Sequence, residues 1–285
     1  MLRKLLLVST VSLLGFSCLF AQDKKPEQKF GWMKSVVANL NFTQNQFDNW
    51  TQGGEDSWAW QGTIDGKINR NAPNFKWSNS GKLTYGKSKI GDTAARKSAD
   101  EIRFESVYTR KVGIPVNPYA SATFLTQLTP GYQYFGDTSK VEISNFMDPG
   151  FFTQSVGLDY NPNDNFQTRL GAAVKETFTD QHPKPYADDP ATSKIEKTKV
   201  EYGATSVTEA NVKLNQIILF TTRLDLFSNF EAFNQIDVDW DNTFTANIAK
   251  YLTVNFNIRI YYDRDFSKKR QIKQTLSAGL TYTLL

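Results

Sequence analysis

The sequence predicts an all-β fold, an antiparallel up-and-down barrel of about twelve strands, within a range of about ten to fourteen, that crosses a membrane. Three observations predict it. Apolar and polar residues alternate with period two through most of the chain, many alternating segments are long, and the connections between them alternate in length. A tilted membrane strand needs about ten residues, whereas strands of soluble sheets usually have about five or six.

In chain order, Val36, Ala38, Leu40 and Phe42 oppose Asn39, Asn41 and Thr43. Trp58, Trp60, Ile64 and Ile68 oppose Gln61, Thr63, Asp65, Lys67 and Asn69. Phe75, Trp77, Leu83 and Tyr85 oppose Lys76, Ser78, Ser80, Lys82 and Thr84, and Ile102, Phe104 and Tyr108 oppose Arg103, Glu105, Thr109 and Lys111. Weaker alternation marks 117–130, 151–161, 199–212 and 217–230. Phe166, Leu170, Ala172 and Val174 interleave with Gln167, Arg169 and Lys175, and Ile236, Val238, Trp240 and Phe244 with Asp237, Asp239, Asp241 and Thr243. Leu252, Val254, Phe256, Ile258 and Ile260 interleave with Thr253, Asn255, Asn257 and Arg259. Leu276, Ala278, Leu280, Tyr282 and Leu284 close the series against Thr275, Ser277, Gly279, Thr281 and Thr283. A soluble sandwich alternates too, but bulky aromatics near the strand ends suit the interfacial girdles of a membrane barrel. Connections at 48–56, 87–96, 132–150 and 179–197 are long, and those at 71–74, 113–116, 161–165, 213–216 and 249–250 are short. Two further connections on the long side, near 231–233 and 266–271, are shorter. Barrels of the outer membrane have long external loops, short periplasmic turns and both termini inside.

The domain plan is a signal peptide over 1–21, a periplasmic lead-in over 22–34 and the barrel over 35–285. Arg3 and Lys4 precede an apolar stretch from Leu5 to Phe20, and Ala21-Gln22 offers a cleavage site before Asp23-Lys24-Lys25. As an anchor helix the stretch is short and weakened by Ser9, Thr10, Ser12 and Ser17. Lipidation at Cys18 is disfavoured by Gly15 and Phe16 before it. With Cys18 removed, the mature chain has no thiol for a disulfide, a nucleophile or a metal. The expected location is the Gram-negative outer membrane, and the expected partners are its lipid and, during biogenesis, its assembly machinery. A net charge of +4, from 33 basic and 29 acidic residues, gives no reason to expect nucleic acid. A mean hydropathy of −0.46 excludes a bundle of membrane helices but suits a barrel, in which alternation averages hydropathy away.

Several runs look familiar as a set: Asn49-Trp50-Thr51-Gln52-Gly53-Gly54-Glu55, Lys97-Ser98-Ala99-Asp100, Thr126-Gln127 with Gly131-Tyr132, Asn145-Phe146 with Pro149-Gly150, Gly157-Leu158-Asp159-Tyr160, Arg223 to Asn229, Ile236 to Trp240, and Tyr262-Asp263. Together they resemble a Bacteroidetes-type family of envelope proteins known only as a domain of unknown function. The resemblance implies an outer-membrane barrel and brings no activity or site residues. One departure is the end of the chain, Tyr282-Thr283-Leu284-Leu285, where such barrels usually end in an aromatic residue.

No enzyme, cofactor or metal site is expected. The single histidine, His182, is followed by Pro183 and Pro185 and reads as a solvated loop residue. Gly53-Gly54 reads as a turn at a loop tip, with no following helix to make a phosphate cradle. The lumen carries the strongest constellation. Asp237, Asp239 and Asp241 all face inward, a row that needs cations. Turns centred near Ala232 and Ala249-Lys250 place Arg223 and Arg259 opposite Asp241 from either side, with Asp239 as substitute if a register moves by two. The expected Arg223–Asp241–Arg259 bridge either stiffens a plugged interior or forms a charged constriction. The functional readings are a narrow polar pore for small solutes, a closed structural or docking barrel whose loops meet partners, and, least favoured, an outer-membrane hydrolase.

Overall fold

A computed structural model describes residues 30–48, 54–136, 139–184, 186–233, 235–264 and 267–285. The signal peptide and the lead-in up to Gln28 and Lys29 lie outside the described residues, and so does Gly53 of the expected loop-tip turn. Among the described residues fourteen strands follow one another: β1 Gly31–Asn45, β2 Ser57–Asn71, β3 Phe75–Ile90, β4 Arg96–Arg110, β5 Val116–Thr126, β6 Gly131–Phe135, β7 Ser139–Ser144, β8 Gly150–Asn163, β9 Phe166–Phe178, β10 Thr198–Lys213, β11 Ile218–Asn229, β12 Ile236–Asn247, β13 Leu252–Tyr262 and β14 Gln271–Thr283. Twelve of them close into an antiparallel barrel, each beside its sequence neighbour, with β5 beside β8 and β1 beside β14. The wall begins four residues before the expected domain start, because β1 pairs with β2 from Gly31↔Asn71 onward.

The two parities of the alternation become two surfaces. Leu40, Ile64, Leu83, Phe104, Leu158, Leu170, Tyr202 and Leu276 stand exposed on the outside, where a bilayer would cover them. Among the most buried side chains are Asp159, Thr177 and Asp263, which is the inverse of a soluble core. Where the strands pair, their ladders satisfy the backbone groups that hydrocarbon cannot. Connections at 46–56, 127–149, 179–197 and 263–270 leave one rim with the shorter 91–95 and 230–235, and those at 72–74, 111–115, 164–165, 214–217 and 248–251 leave the other; the long connection expected at 87–96 shrinks to 91–95 because β3 runs on to Ile90. The long connection after β5 is not plain loop. It carries the β6–β7 hairpin, a separate two-stranded sheet.

Two polar stations on the outer parity share one design. Trp77 Nε1 donates to Ser106 Oγ, which donates to Asn79 Oδ1, and Asn79 Nδ2 donates to the Ile68 carbonyl. On the other side of the barrel, Trp240 donates to Thr222 Oγ1, Thr222 to Asn242 Oδ1, and Asn242 to the Ile258 carbonyl. In each, a Trp-x-Asn strand lies between a hydroxyl strand and an isoleucine strand, so polar atoms on the apolar face are paired within the wall.

The seam between β1 and β14 is shorter than its neighbours. Its ladder runs from Val37↔Thr283 to Asn41↔Gly279, continued below by Leu284 N–H to the Val36 carbonyl and Val36 N–H to the Leu285 carbonyl. Pairing therefore passes beyond Tyr282 to the last two leucines.

Candidate functional site: a charged lattice across the lumen

The register of β11, β12 and β13 places Arg223 opposite Asp241, and Asp241 opposite Arg259. The ion pairs are made elsewhere, which corrects the expected bridge. Arg259 binds Asp239 through Nε and Nη2, both at 2.7 Å, and Arg223 binds Asp225 of its own strand at 3.0 Å. Asp241 is held by Asn257 and lies 3.9 Å from Lys82. Asp237 pairs with Lys175 at 3.0 Å. The physical reason is that guanidinium groups on long stems seek two-pronged carboxylate geometry, and the twist of the sheet offers it on the diagonal and across the lumen.

Three residues of β4 complete the site, and nothing in their local pattern singles them out. Arg103 reaches Asp225 at 3.1 Å and Asp239 at 3.2 Å. Glu101 receives Arg259 at 2.7 Å, and Glu105 receives Arg223 at 2.8 Å and Arg169 at 2.7 Å. In the barrel order β4 and β12 are six strands apart in both directions, so the Arg103–Asp239 pair spans the barrel. The cavity beside it is about 160 Å³, lined by Asp65, Lys82, Glu101, Arg103, Glu209, Arg223, Asp239, Asp241 and Arg259.

Two smaller networks flank this layer. Lys175 stands among Asp237, Asp263 and Glu201 at 3.0, 3.6 and 3.9 Å. Asp159, buried opposite Arg169, accepts bonds from Thr109 at 3.0 Å and Gln167 at 2.9 Å. The wall there is bent close. A Cβ on Gly171 would lie 2.3 Å from the Val156 carbonyl and 2.9 Å from the hydroxyl of Tyr119, whose side chain is buried.

The His182 side chain is not solvated. Its Nδ1 lies 2.8 Å from Asp148 Oδ2, and Nε2 is 4.0 Å from Glu142. Asp148, near the base of the β6–β7 hairpin, also accepts the N–H groups of Asp180, Gln181 and His182. Burial pushes its carboxyl up, but these N–H groups and the imidazole outweigh it and hold its pKa below the ordinary 3.8. Burial also drives the nearby Tyr186 phenol above its ordinary range. The loop is thus latched to the hairpin by a residue 34 positions away, which the prolines do not reveal. Among the described residues no hydroxyl bonds the His182 ring, so the pairing that activates a serine nucleophile is not formed.

The fold is similar to solved barrels at low identity. The translocator domain of the autotransporter NalP from Neisseria meningitidis is 10% identical, with 96% of each chain covered and a TM-score of 0.41. An outer membrane channel from Pseudomonas putida F1 is 9% identical over 92% of this chain and 99% of that one, at 0.41. The NanC porin is 8% identical over 87% and 97%, at 0.40. No curated protein matches the sequence. Residues 42–132 match the family described as "Protein of unknown function (DUF3078)", so over that part of the chain the resemblance read from the motifs, to a family known only as a domain of unknown function, holds.

Proposed function

We propose that this chain is an outer-membrane barrel closed to axial passage of solutes, acting through its external loops as a docking or structural protein. The Arg103–Asp239 contact across the full width of the wall carries the reading. With Arg259–Glu101 and Arg223–Glu105 beside it, charged side chains occupy the mid-lumen. The cavity that remains beside them, about 160 Å³, is lined mostly by charged side chains from facing strands, which supports a crowded lumen. The two longest external connections, 127–149 and 179–197, are latched to each other through Asp148, which supports an ordered external platform. Conductance in planar bilayers tests the reading: the native protein stays silent, and a steady single-channel current would overturn it.

The narrow polar pore keeps one supporting observation. The Lys82–Asp241 pair is the loosest of the layer, at 3.9 Å with side chains 37% and 30% exposed, so an ion-sized path would run there. In that case Asp241→Asn changes ion selectivity while the melting temperature barely moves.

A further inference from the structure

The outer half of the β1–β14 seam carries no ladder. β1 is paired to β2 along its whole length to Asn45↔Ser57, and β14 to β13 from Leu280 to Gln271. Between each other they pair only up to Asn41↔Gly279. Among the described residues, the facing edges of Phe42–Asn45 and Gln271–Ala278 therefore carry backbone groups without a rung across the seam. The side chains agree: Thr43, Gln44 and Asn45 are exposed, as are Gln271 and Lys273. Phe42, Ile272 and Leu276, on the outer parity, are 56%, 51% and 71% exposed, so the opening lies at a level bounded by apolar surface. Unpaired backbone polar groups are costly beside hydrocarbon, and something polar must meet them. Behind the gap, Lys273 Nζ donates to the Ser98 carbonyl at 3.0 Å, across the lumen mouth to β4. Its cross-strand neighbour on β13 is Arg259, and among the described residues no carboxylate pairs with Lys273.

We propose that the β1–β14 gap is a lateral binding site for an anionic lipid of the surrounding leaflet, its chains against Phe42, Ile272 and Leu276 and its headgroup turned in toward Lys273. An apolar outer rim, unpaired backbone donors between, and a cation inside match the three parts of such a molecule in order. A second copy of the chain fits poorly. Two barrels in one membrane, related by rotation about its normal, would bring their β14 edges together in parallel, against the antiparallel pattern of every other pair. A strand from another protein would find the β14 edge long but the β1 edge only Phe42–Asn45, and could not continue the wall.

The inference rests on the barrel lying in a membrane, not on its axial closure, so a conducting barrel leaves it standing. The test uses the full mature chain in nanodiscs of phosphatidylcholine, with and without about one-fifth phosphatidylglycerol. By hydrogen exchange, alternate amides of Gln271–Ala278 exchange fast in phosphatidylcholine and slow several-fold when phosphatidylglycerol is added. Spin-labelled phosphatidylglycerol shows a motionally restricted fraction several-fold above spin-labelled phosphatidylcholine, and Lys273→Gln abolishes that preference with the melting temperature unchanged. Amides already protected in phosphatidylcholine alone would mean a sealed seam and overturn the proposal. So would protection that rises with protein concentration, which marks a second copy, or a lipid preference that Lys273→Gln leaves intact.

Discussion

Arg259 faces Asp241 across the β12–β13 ladder but gives its guanidinium to Asp239, two residues away, in a two-pronged grip with both contacts at 2.7 Å. The two carboxylates of the row therefore differ in weight. Asp239→Asn leaves Arg259 and Arg103 short of a partner in a side-chain-filled interior and destabilises the barrel by about 3 kcal/mol. Asp241→Asn loses only the long contact to Lys82 and costs under about 1 kcal/mol. Thermal unfolding in detergent, followed by the shift in gel mobility of heated and unheated samples, separates the two variants. Equal losses would contradict the assignment of Arg259 to Asp239.

Arg103 is the strut that joins opposite walls. Arg103→Gln removes contacts to Asp225 and Asp239 together and leaves both carboxylates facing each other. The expected result is a loss of about 3 kcal/mol and the appearance of a cation-preferring current where the native barrel is silent. A variant that melts earlier yet conducts nothing would place the obstruction at another level of the lumen.

Acid should release the loop latch at a defined point. The folded Asp148 pKa lies below its ordinary value, so its contribution is complete above 3.8 and disappears as pH falls through the folded pKa. Segment 179–197 should resist protease at pH 7 and pH 5 and become cleavable only well below 3.8, with the barrel still folded. Asp148→Ala should make the same segment cleavable at neutral pH. Cleavage of the native protein at pH 5 would show that Asp148 is not what holds the loop.

Gly171 cannot carry a side chain without moving backbone. With 2.3 Å to the Val156 carbonyl, Gly171→Ala costs about 1–3 kcal/mol through overpacking and displaces Tyr119. Gly62 offers the contrast: an added Cβ there meets nothing within 4 Å, and Gly62→Ala is neutral within about 0.5 kcal/mol. The comparison is read directly from paired melting curves.

The wall was legible because side-chain parity is a local property, written in each segment and confirmed by its turn. Turn arithmetic alone placed Arg223 and Arg259 opposite Asp241. The ion pairs were not legible, since Arg103 meets Asp239 only after twelve strands have curled into a ring, and nothing near either residue encodes that meeting. The β6–β7 hairpin escaped for a different reason. Only Tyr132 and Tyr134 stand two apart in β6, too short a pattern to stand out inside a long loop. The setting of His182 is not legible locally because its partner, Asp148, belongs to another connection.

The ion pairs from β4 to β11, β12 and β13 join residues 118 to 158 positions apart, from Arg223–Glu105 to Arg259–Glu101. None can form while the sheet is a flat ribbon, so the lattice is completed only once the wall has curled into a ring. Interactions absent from the transition state do not hasten folding; they lower the rate of departure from the finished state. A charged interior set last in this way is expected to act as a catch, so that its loss speeds unfolding more than it slows folding.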